Sequence, residues 1–156
     1  MKLDARATVH VPRPPEEVFD FAVANQNLSR MLQKKGPIPG VTGAELVDGS
    51  ELRKGARRRV AMTDGSTLIE ELIALDRPRV HEYRWAHPPP PPFSLLIRGG
   101  HATWTFRPEG GGTRVDWLYT FELASPLLLP LAALAAALFR SWMQAALGRL
   151  RAALEK

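Results

Sequence analysis

The chain has 156 residues and a mass of 17.3 kDa, which suits one domain with its own hydrophobic core, so we expect a single domain over residues 1–156. Because it contains no cysteine, it can form neither a disulfide scaffold nor a thiolate metal site, and it has no cysteine nucleophile. Its net charge is +5, but the basic residues are spread along the chain, so we predict no specific nucleic-acid partner.

The N-terminal segment alternates apolar and polar residues over positions 3–11, which predicts a half-buried β-strand. It lacks the continuous apolar core of a signal peptide, so we expect a cytoplasmic protein. Prolines at 14 and 15 followed by Glu16 and Glu17 are typical of a helix start, because proline fits the first turn and acids favour the positive helix end. We predict one helix over residues 15–24 and a second, shorter helix over residues 28–32.

The middle of the chain has the two-residue periodicity of successive β-strands. The predicted strands span residues 44–48, 56–63, 66–75, 79–86, 95–107 and 113–123. Short turns rich in Asp, Gly and Pro separate most of them, which favours an antiparallel sheet of sequential neighbours.

Five consecutive prolines at positions 88–92 interrupt this periodicity. Proline has no N–H for a sheet ladder, so the run predicts a stiff loop outside the sheet. We interpret it as a rigid connector between strands. Two other roles remain open: a lid over a cavity mouth, with Phe93 as its plug, and a docking site for a proline-binding partner.

Residues 126–156 are predicted to form one long amphipathic helix. When the residues are placed on a helix at about 100° per residue, one broad face is apolar. It contains Leu131, Leu134, Leu138, Phe139, Trp142, Met143, Ala146, Leu147, Leu150 and Leu154. Such a wide apolar face needs a concave partner, so we predict an α+β fold in which a curved antiparallel sheet wraps around this helix. The uncharged run at 123–139 is shorter than the roughly 20 residues that span a bilayer, which favours a core helix and leaves peripheral membrane contact open.

Three motifs in this order resemble the START-like or SRPBCC superfamily, which contains polyketide cyclase/dehydrase-type and lipid-transport proteins. They are Pro14-Pro15-Glu16-Glu17-Val18-Phe19-Asp20, Leu75-Asp76-Arg77-Pro78-Arg79-Val80 and Gly111-Gly112-Thr113-Arg114-Val115-Asp116-Trp117. The resemblance covers almost the whole chain. It implies a helix-grip fold: a curved sheet of about six or seven strands, two short helices after the first strand, and a hydrophobic cavity between the sheet and the terminal helix.

Alternation along the strands predicts which side chains face that helix. The expected ligand-binding wall is mostly aromatic, with methionines as adaptable filler: Met62, Tyr83, Trp85, Trp104, Trp117, Tyr119, Phe139, Trp142 and Met143.

Polar candidates for the same wall are His81, Arg98 and one of two adjacent carboxylates, Glu70 and Glu71, of which we choose Glu71. The inward position of Arg98 holds unless Gly99-Gly100 forms a bulge that shifts the register of its strand. An inward carboxylate beside Arg98 or His81 could orient a ligand or act as a general acid or base. We assign the Arg57-Arg58-Arg59 cluster to a solvated strand face.

Several classes of site lack their signatures. The four histidines do not have the short spacings of a zinc site, so we predict no bound metal. No serine lies in a GxSxG motif, and the glycines at 110–112 join two strands and no helix, so we predict no nucleotide or other cofactor.

The leading hypothesis is a non-enzymatic protein that binds or transfers a lipid, polyketide or aromatic metabolite. Two alternatives stay open: a cyclase/dehydrase-type enzyme that uses an inward acid/base pair, and a co-chaperone-like interaction module. A cavity with an apolar wall favours the carrier, and an acid/base pair within it favours the enzyme. The ligand, turnover and oligomeric state are not defined by the sequence.

Overall fold

Seven antiparallel strands form one sheet in the order β1-β7-β6-β5-β4-β3-β2. The computed structural model describes residues 1–48 and 51–155. The strands are β1 (Lys2–Val11), β2 (Val41–Leu46), β3 (Arg57–Met62), β4 (Thr67–Asp76), β5 (Val80–Trp85), β6 (Ile97–Glu109) and β7 (Gly112–Leu123). The helices are α1 (Pro15–Val23), α2 (Leu28–Met31) and α3 (Leu129–Glu155).

This arrangement is the predicted helix-grip fold. The two short helices follow β1, and the long helix ends the chain. The strand boundaries differ from the expected ones by at most three residues, and the largest difference is at β2, which begins at Val41. The last residue of the predicted terminal helix, Lys156, lies outside the described residues.

Helix starts follow local chemistry. Helix α1 begins at Pro15 and carries Glu16 and Glu17 in its first turn. Before α3, a 3-10 turn spans Pro126–Leu128, and the hydroxyl of Ser125 accepts a hydrogen bond from the backbone N–H of Leu127 at 3.3 Å. This N-cap and the following proline start the terminal helix at that point.

The second half of α3 is fixed to the sheet and to the short helices. Met143, Leu147 and Leu150 have no exposed surface. Polar side chains at the edges of this face add long-range hydrogen bonds: the Trp142 indole N–H donates to the carbonyl of Gln33 at 2.9 Å, and the Gln144 amide donates to the carbonyl of Thr8 at 2.7 Å. The second half of α3 therefore fixes the position of the helix against the sheet.

The first half of α3 corrects the sequence prediction. Leu131, Leu134 and Leu138 were expected on the gripped face, but they are 57%, 60% and 42% exposed. Ala132 and Ala136 face the sheet in their place. The predicted apolar face was wider than the part that the sheet can cover, and hydrophobicity alone could not show which edge of that face is left in solvent.

By length and composition alone, the segment Pro126–Glu155 could cross a membrane. Its most apolar window has a mean hydropathy of 1.5, and 22% of that window is buried. A core helix of a globular protein can pass the same test. Peripheral membrane contact stays a prediction.

Two aspartate substitutions on α3 distinguish its two faces. Leu147→Asp should prevent stable folding, because it places an unpaired carboxylate at a fully enclosed position. Leu138→Asp should change the free energy of unfolding by about 0.5 kcal/mol or less, because that side chain already meets water. Urea denaturation followed by circular dichroism measures both. A Leu147→Asp protein that unfolds like the wild type would contradict the packing described here.

Candidate functional site

A cavity of about 130 Å³ lies between the inner face of the sheet and the first half of α3. It exists because Ala132, Ala135 and Ala136, with their small side chains, are the helix residues that face this part of the sheet. Farther along the helix, Trp142 and Met143 fill the corresponding space. The size of the inward side chains thus changes along α3, and the cavity lies at the end where they are small.

The wall of the cavity is mainly apolar, and its large side chains are aromatic rings on the central strands and on α3. Trp104 and Trp117, opposite each other on β6 and β7, stack with ring centroids 4.3 Å apart. From α3, Phe139 contacts Tyr119 and Phe121 edge-on at 5.1 and 5.0 Å. Neighbouring strands place their large rings side by side because alternate residues of a strand share one face.

A buried ion pair is one polar part of this wall. Arg58 on β3 and Glu70 on β4 are register partners and are 2% and 7% exposed. The Nε and Nη2 groups of Arg58 both donate to Oε1 of Glu70, at 3.1 and 2.7 Å. Its Nη1 group donates to the carbonyl of Val23 at 3.4 Å and to Oδ1 of Asn25 at 3.5 Å. The guanidinium is therefore held between the sheet and the end of α1.

Burial sets the protonation of three neutral side chains in the wall, His81, Tyr83 and Tyr119, whereas hydrogen bonds from Ser66 lower the pKa of the lining residue Asp64. It lowers the pKa of His81 well below its usual value, and the nearby positive charge of Arg58 lowers it further. Burial also raises the pKa of Tyr83 and that of Tyr119, with the charge of Glu70 as a further cause for each. All three side chains are neutral at pH 7.

The two charged side chains chosen from the sequence do not face the cavity. Glu71 lies on the outer face, where its Oε1 accepts a hydrogen bond from Arg84 at 2.9 Å. Its neighbour Glu70 is the inward carboxylate. Arg98 is exposed, because a bulge between Ile97 and Gly99 shifts the register of β6. The choice of Glu71 and Arg98 was therefore wrong.

The Arg57-Arg58-Arg59 cluster is also corrected. Only Arg57 and Arg59 lie on the solvated face, whereas Arg58 points inward. The signal was present in the sequence, because Arg58, Val60 and Met62 share one face of a strand by alternation. We nevertheless assigned Arg58 to the solvated face because its side chain is positively charged.

The remaining predicted residues are placed as follows. Nine of them line the cavity, and their role in binding stays a prediction: Met62, His81, Tyr83, Trp85, Trp104, Trp117, Tyr119, Phe139 and Trp142. Met143 is enclosed in the core and is not part of the lining. Sequence reasoning missed lining residues before β3. They are Leu3 on the alternating first strand and, outside the predicted strands, Ala22, Leu28, Leu32, Ile38, Pro39 and Val41.

The proline-rich loop contributes to the same cavity. Pro89, Pro90 and Phe93 are lining residues, and Phe93 is half-buried at the start of a 3-10 turn. A role of this loop as a lid stays a prediction. Within the described ranges 1–48 and 51–155, no group of three His, Asp or Glu side chains is arranged to hold a metal ion.

Comparison with known proteins identifies the family. The family model described as "Polyketide cyclase / dehydrase and lipid transport" matches residues 2–155. The chain belongs to this family. The fold of this cyclase/dehydrase and lipid-transport family is one that binds hydrophobic ligands, as the resemblance of the sequence implied. No curated protein matches the chain.

Solved structures share the fold of this family member over nearly its whole length. TTHA0849 from Thermus thermophilus has a TM-score of 0.70 at 25% identity, covering 98% of this chain and 97% of that one. The di-domain ARO/CYC BexL from the BE-7585A biosynthetic pathway has a TM-score of 0.73 at 19% identity, covering 99% of this chain and 50% of that one. Ara h 8.0201 has a TM-score of 0.67 at 15% identity, covering 96% and 98%.

Removing the positive partner of the buried ion pair should be costly. Arg58→Met leaves the carboxylate of Glu70 buried without its partner, and we expect a loss of about 3–5 kcal/mol in the free energy of unfolding. The matched control is Arg59→Met, which breaks an exposed pair with Glu45 and should cost about 1 kcal/mol or less. Urea denaturation measures both losses, and equal small losses would contradict the buried pair.

His81 should make the protein less stable in mild acid. Its pKa in the folded state lies well below the usual value of about 6.5, so the unfolded chain takes up a proton that the folded chain does not. The free energy of unfolding should therefore fall as the pH drops below about 6.5, by at most about 1.4 kcal/mol per pH unit from this group. Replacing His81 with Leu should reduce this slope between pH 7 and 5. Identical slopes for the two proteins would contradict a buried neutral imidazole.

Proposed function

We propose that this protein binds and carries a small hydrophobic molecule in the cavity between the sheet and α3. The observation that carries the proposal is a partly open cavity of about 130 Å³ with a largely apolar wall that includes nine aromatic side chains. Apolar cavities of about 150 Å³ stay dry and bind benzene, so one aromatic ring fits without rearrangement. A larger ligand needs displacement of the first half of α3 or of the proline-rich loop.

The protonation of the wall supports a carrier. A general acid or base works best when its pKa lies near the working pH. The pKa values of Tyr83 and Tyr119 are raised and that of His81 is lowered, so these three groups neither take up nor release protons readily at pH 7. The wall is suited to holding a ligand by contact.

A cyclase/dehydrase-type enzyme is the second candidate, because Glu70 is a carboxylate inside the cavity wall. Its position next to apolar and aromatic side chains is one in which a carboxyl group could exchange a proton with a bound substrate. The two hydrogen bonds from Arg58 to Glu70 favour the carrier, since they hold the carboxylate in an ion pair.

Native mass spectrometry of the protein purified from its own host tests the main proposal. We expect an added mass in the range of a small apolar molecule, which disappears after denaturation and is identified after extraction. As a control, the protein is stripped of bound ligand by denaturation and then refolded. When this stripped protein is incubated with a lipid extract of the host, it should regain the added mass. Protein that is empty before and after this exposure would contradict the proposal.

A cavity-filling variant makes the test specific to this site. Ala136→Leu adds a larger side chain to the wall, so we expect toluene binding, measured by isothermal titration calorimetry, to fall at least tenfold. Ala137→Leu is the matched control, since it makes the same change one residue away on the exposed face. Equal toluene affinity in the two variants would place binding elsewhere.

A further inference from the structure

We propose that Oε2 of Glu70 accepts a hydrogen bond from a neutral hydroxyl group of the ligand. The inference rests on the proposed function and names the chemistry of the molecule that the cavity takes. The preferred ligand is a hydrophobic, and by preference aromatic, alcohol or phenol. Hydrocarbons, ethers and carboxylates of the same size bind less well.

The starting point is the unequal use of the two carboxylate oxygens. Both Arg58 donors bind Oε1 of Glu70, at 3.1 and 2.7 Å. Among residues 1–48 and 51–155, none donates a hydrogen bond to Oε2. An ionised carboxylate has about four acceptor positions, so half of its capacity is unused at a site that is only 7% exposed.

Oε2 is also not among the polar atoms that the described residues seal off. The polar atoms that the described part of the chain seals off without a partner are ring nitrogens of His81, Trp104 and Trp117. Oε2 of Glu70 is not one of them, and Glu70 lines the cavity. Oε2 therefore keeps accessible surface on a residue that lines the cavity, and we infer that a ligand in this space reaches it there, whereas the three nitrogens are sealed off.

The charge balance selects a neutral donor. Arg58 and Glu70 together carry no net charge, and they lie in an environment where an added charge would be buried without a partner. A carboxylate on the ligand would place a second negative group beside Oε2. A hydroxyl group donates a hydrogen bond to Oε2 and adds no charge.

The neighbours of Glu70 define where the rest of the ligand lies. Trp85 is its register partner on β5, and the Trp85 ring lies 5.9 Å from the ring of Phe121. Gly100 leaves room for this arrangement, since a Cβ atom there would lie 2.8 Å from the Trp85 ring. The indole N–H of Trp85 already donates to the hydroxyl of Tyr119 at 3.3 Å, so these rings offer the ligand an apolar surface next to the free acceptor.

Four probes of one aromatic ring test the assignment by isothermal titration calorimetry: p-cresol, its methyl ether 4-methylanisole, toluene and p-toluate. The wild-type protein should bind p-cresol roughly 10- to 100-fold more tightly than the other three, which is the range expected for one hydrogen bond to a charged acceptor. Equal affinity for p-cresol, its ether and toluene would overturn the role of Glu70 and leave the proposed carrier function intact. No binding of any probe would contradict both.

Glu70→Gln tests whether the preference for p-cresol depends on the acceptor atom Oε2. Arg58 should retain the side-chain carbonyl oxygen of the new amide, which directs the NH₂ group to the former position of Oε2. The preference for p-cresol over its methyl ether should then disappear, because the site has become a donor. The matched control is Glu71→Gln, which makes the same change on the outer face and should keep the wild-type preference.

A double variant covers the case in which Glu70→Gln does not fold. Arg58→Leu with Glu70→Leu removes both charges at once, a replacement that proteins often tolerate well. It should bind p-cresol, 4-methylanisole and toluene with affinities within about threefold of one another. A retained preference for p-cresol in either variant would overturn the assignment.

Discussion

The architecture depends on how one helix is gripped along its length. The second half of α3 places large apolar side chains, such as Leu147 and Leu150, against the sheet and the short helices, where they are fully enclosed. The first half turns alanines toward the same sheet. Because close packing at its second half holds α3 in place, the helix cannot move toward the sheet at its first half. The space left there by the small side chains therefore stays open as a cavity.

The ion pair between Arg58 and Glu70 shows how polarity can be kept inside such a space. Burying either charge alone would be costly, but the two are register partners on neighbouring strands. The carbonyl of Val23 accepts a further hydrogen bond from Arg58, which links this part of the sheet to α1. The pair therefore contributes to the structure of the wall as well as to the chemistry that the wall presents.

Much of the fold followed from periodicity, and the details of the site followed less well. Alternation in β5, β6 and β7 predicted the inward positions of Tyr83, Trp104 and Trp117 correctly. The prediction failed for Arg98, because a bulge between Ile97 and Gly99 reverses the alternation. The glycines at 99 and 100 made a bulge possible there, but whether one forms depends on pairing with the neighbouring strands. The choice between Glu70 and Glu71 required the register of a strand, which depends on pairing between distant segments.

All four tryptophans of the chain, Trp85, Trp104, Trp117 and Trp142, lie along the cavity. The tryptophan fluorescence of the native protein therefore comes entirely from indoles in the wall of the candidate site. A ligand that enters the cavity changes the polarity and the quenching around these indoles. Occupancy can thus be followed optically in the unlabelled protein, and the signal has no background from tryptophans elsewhere.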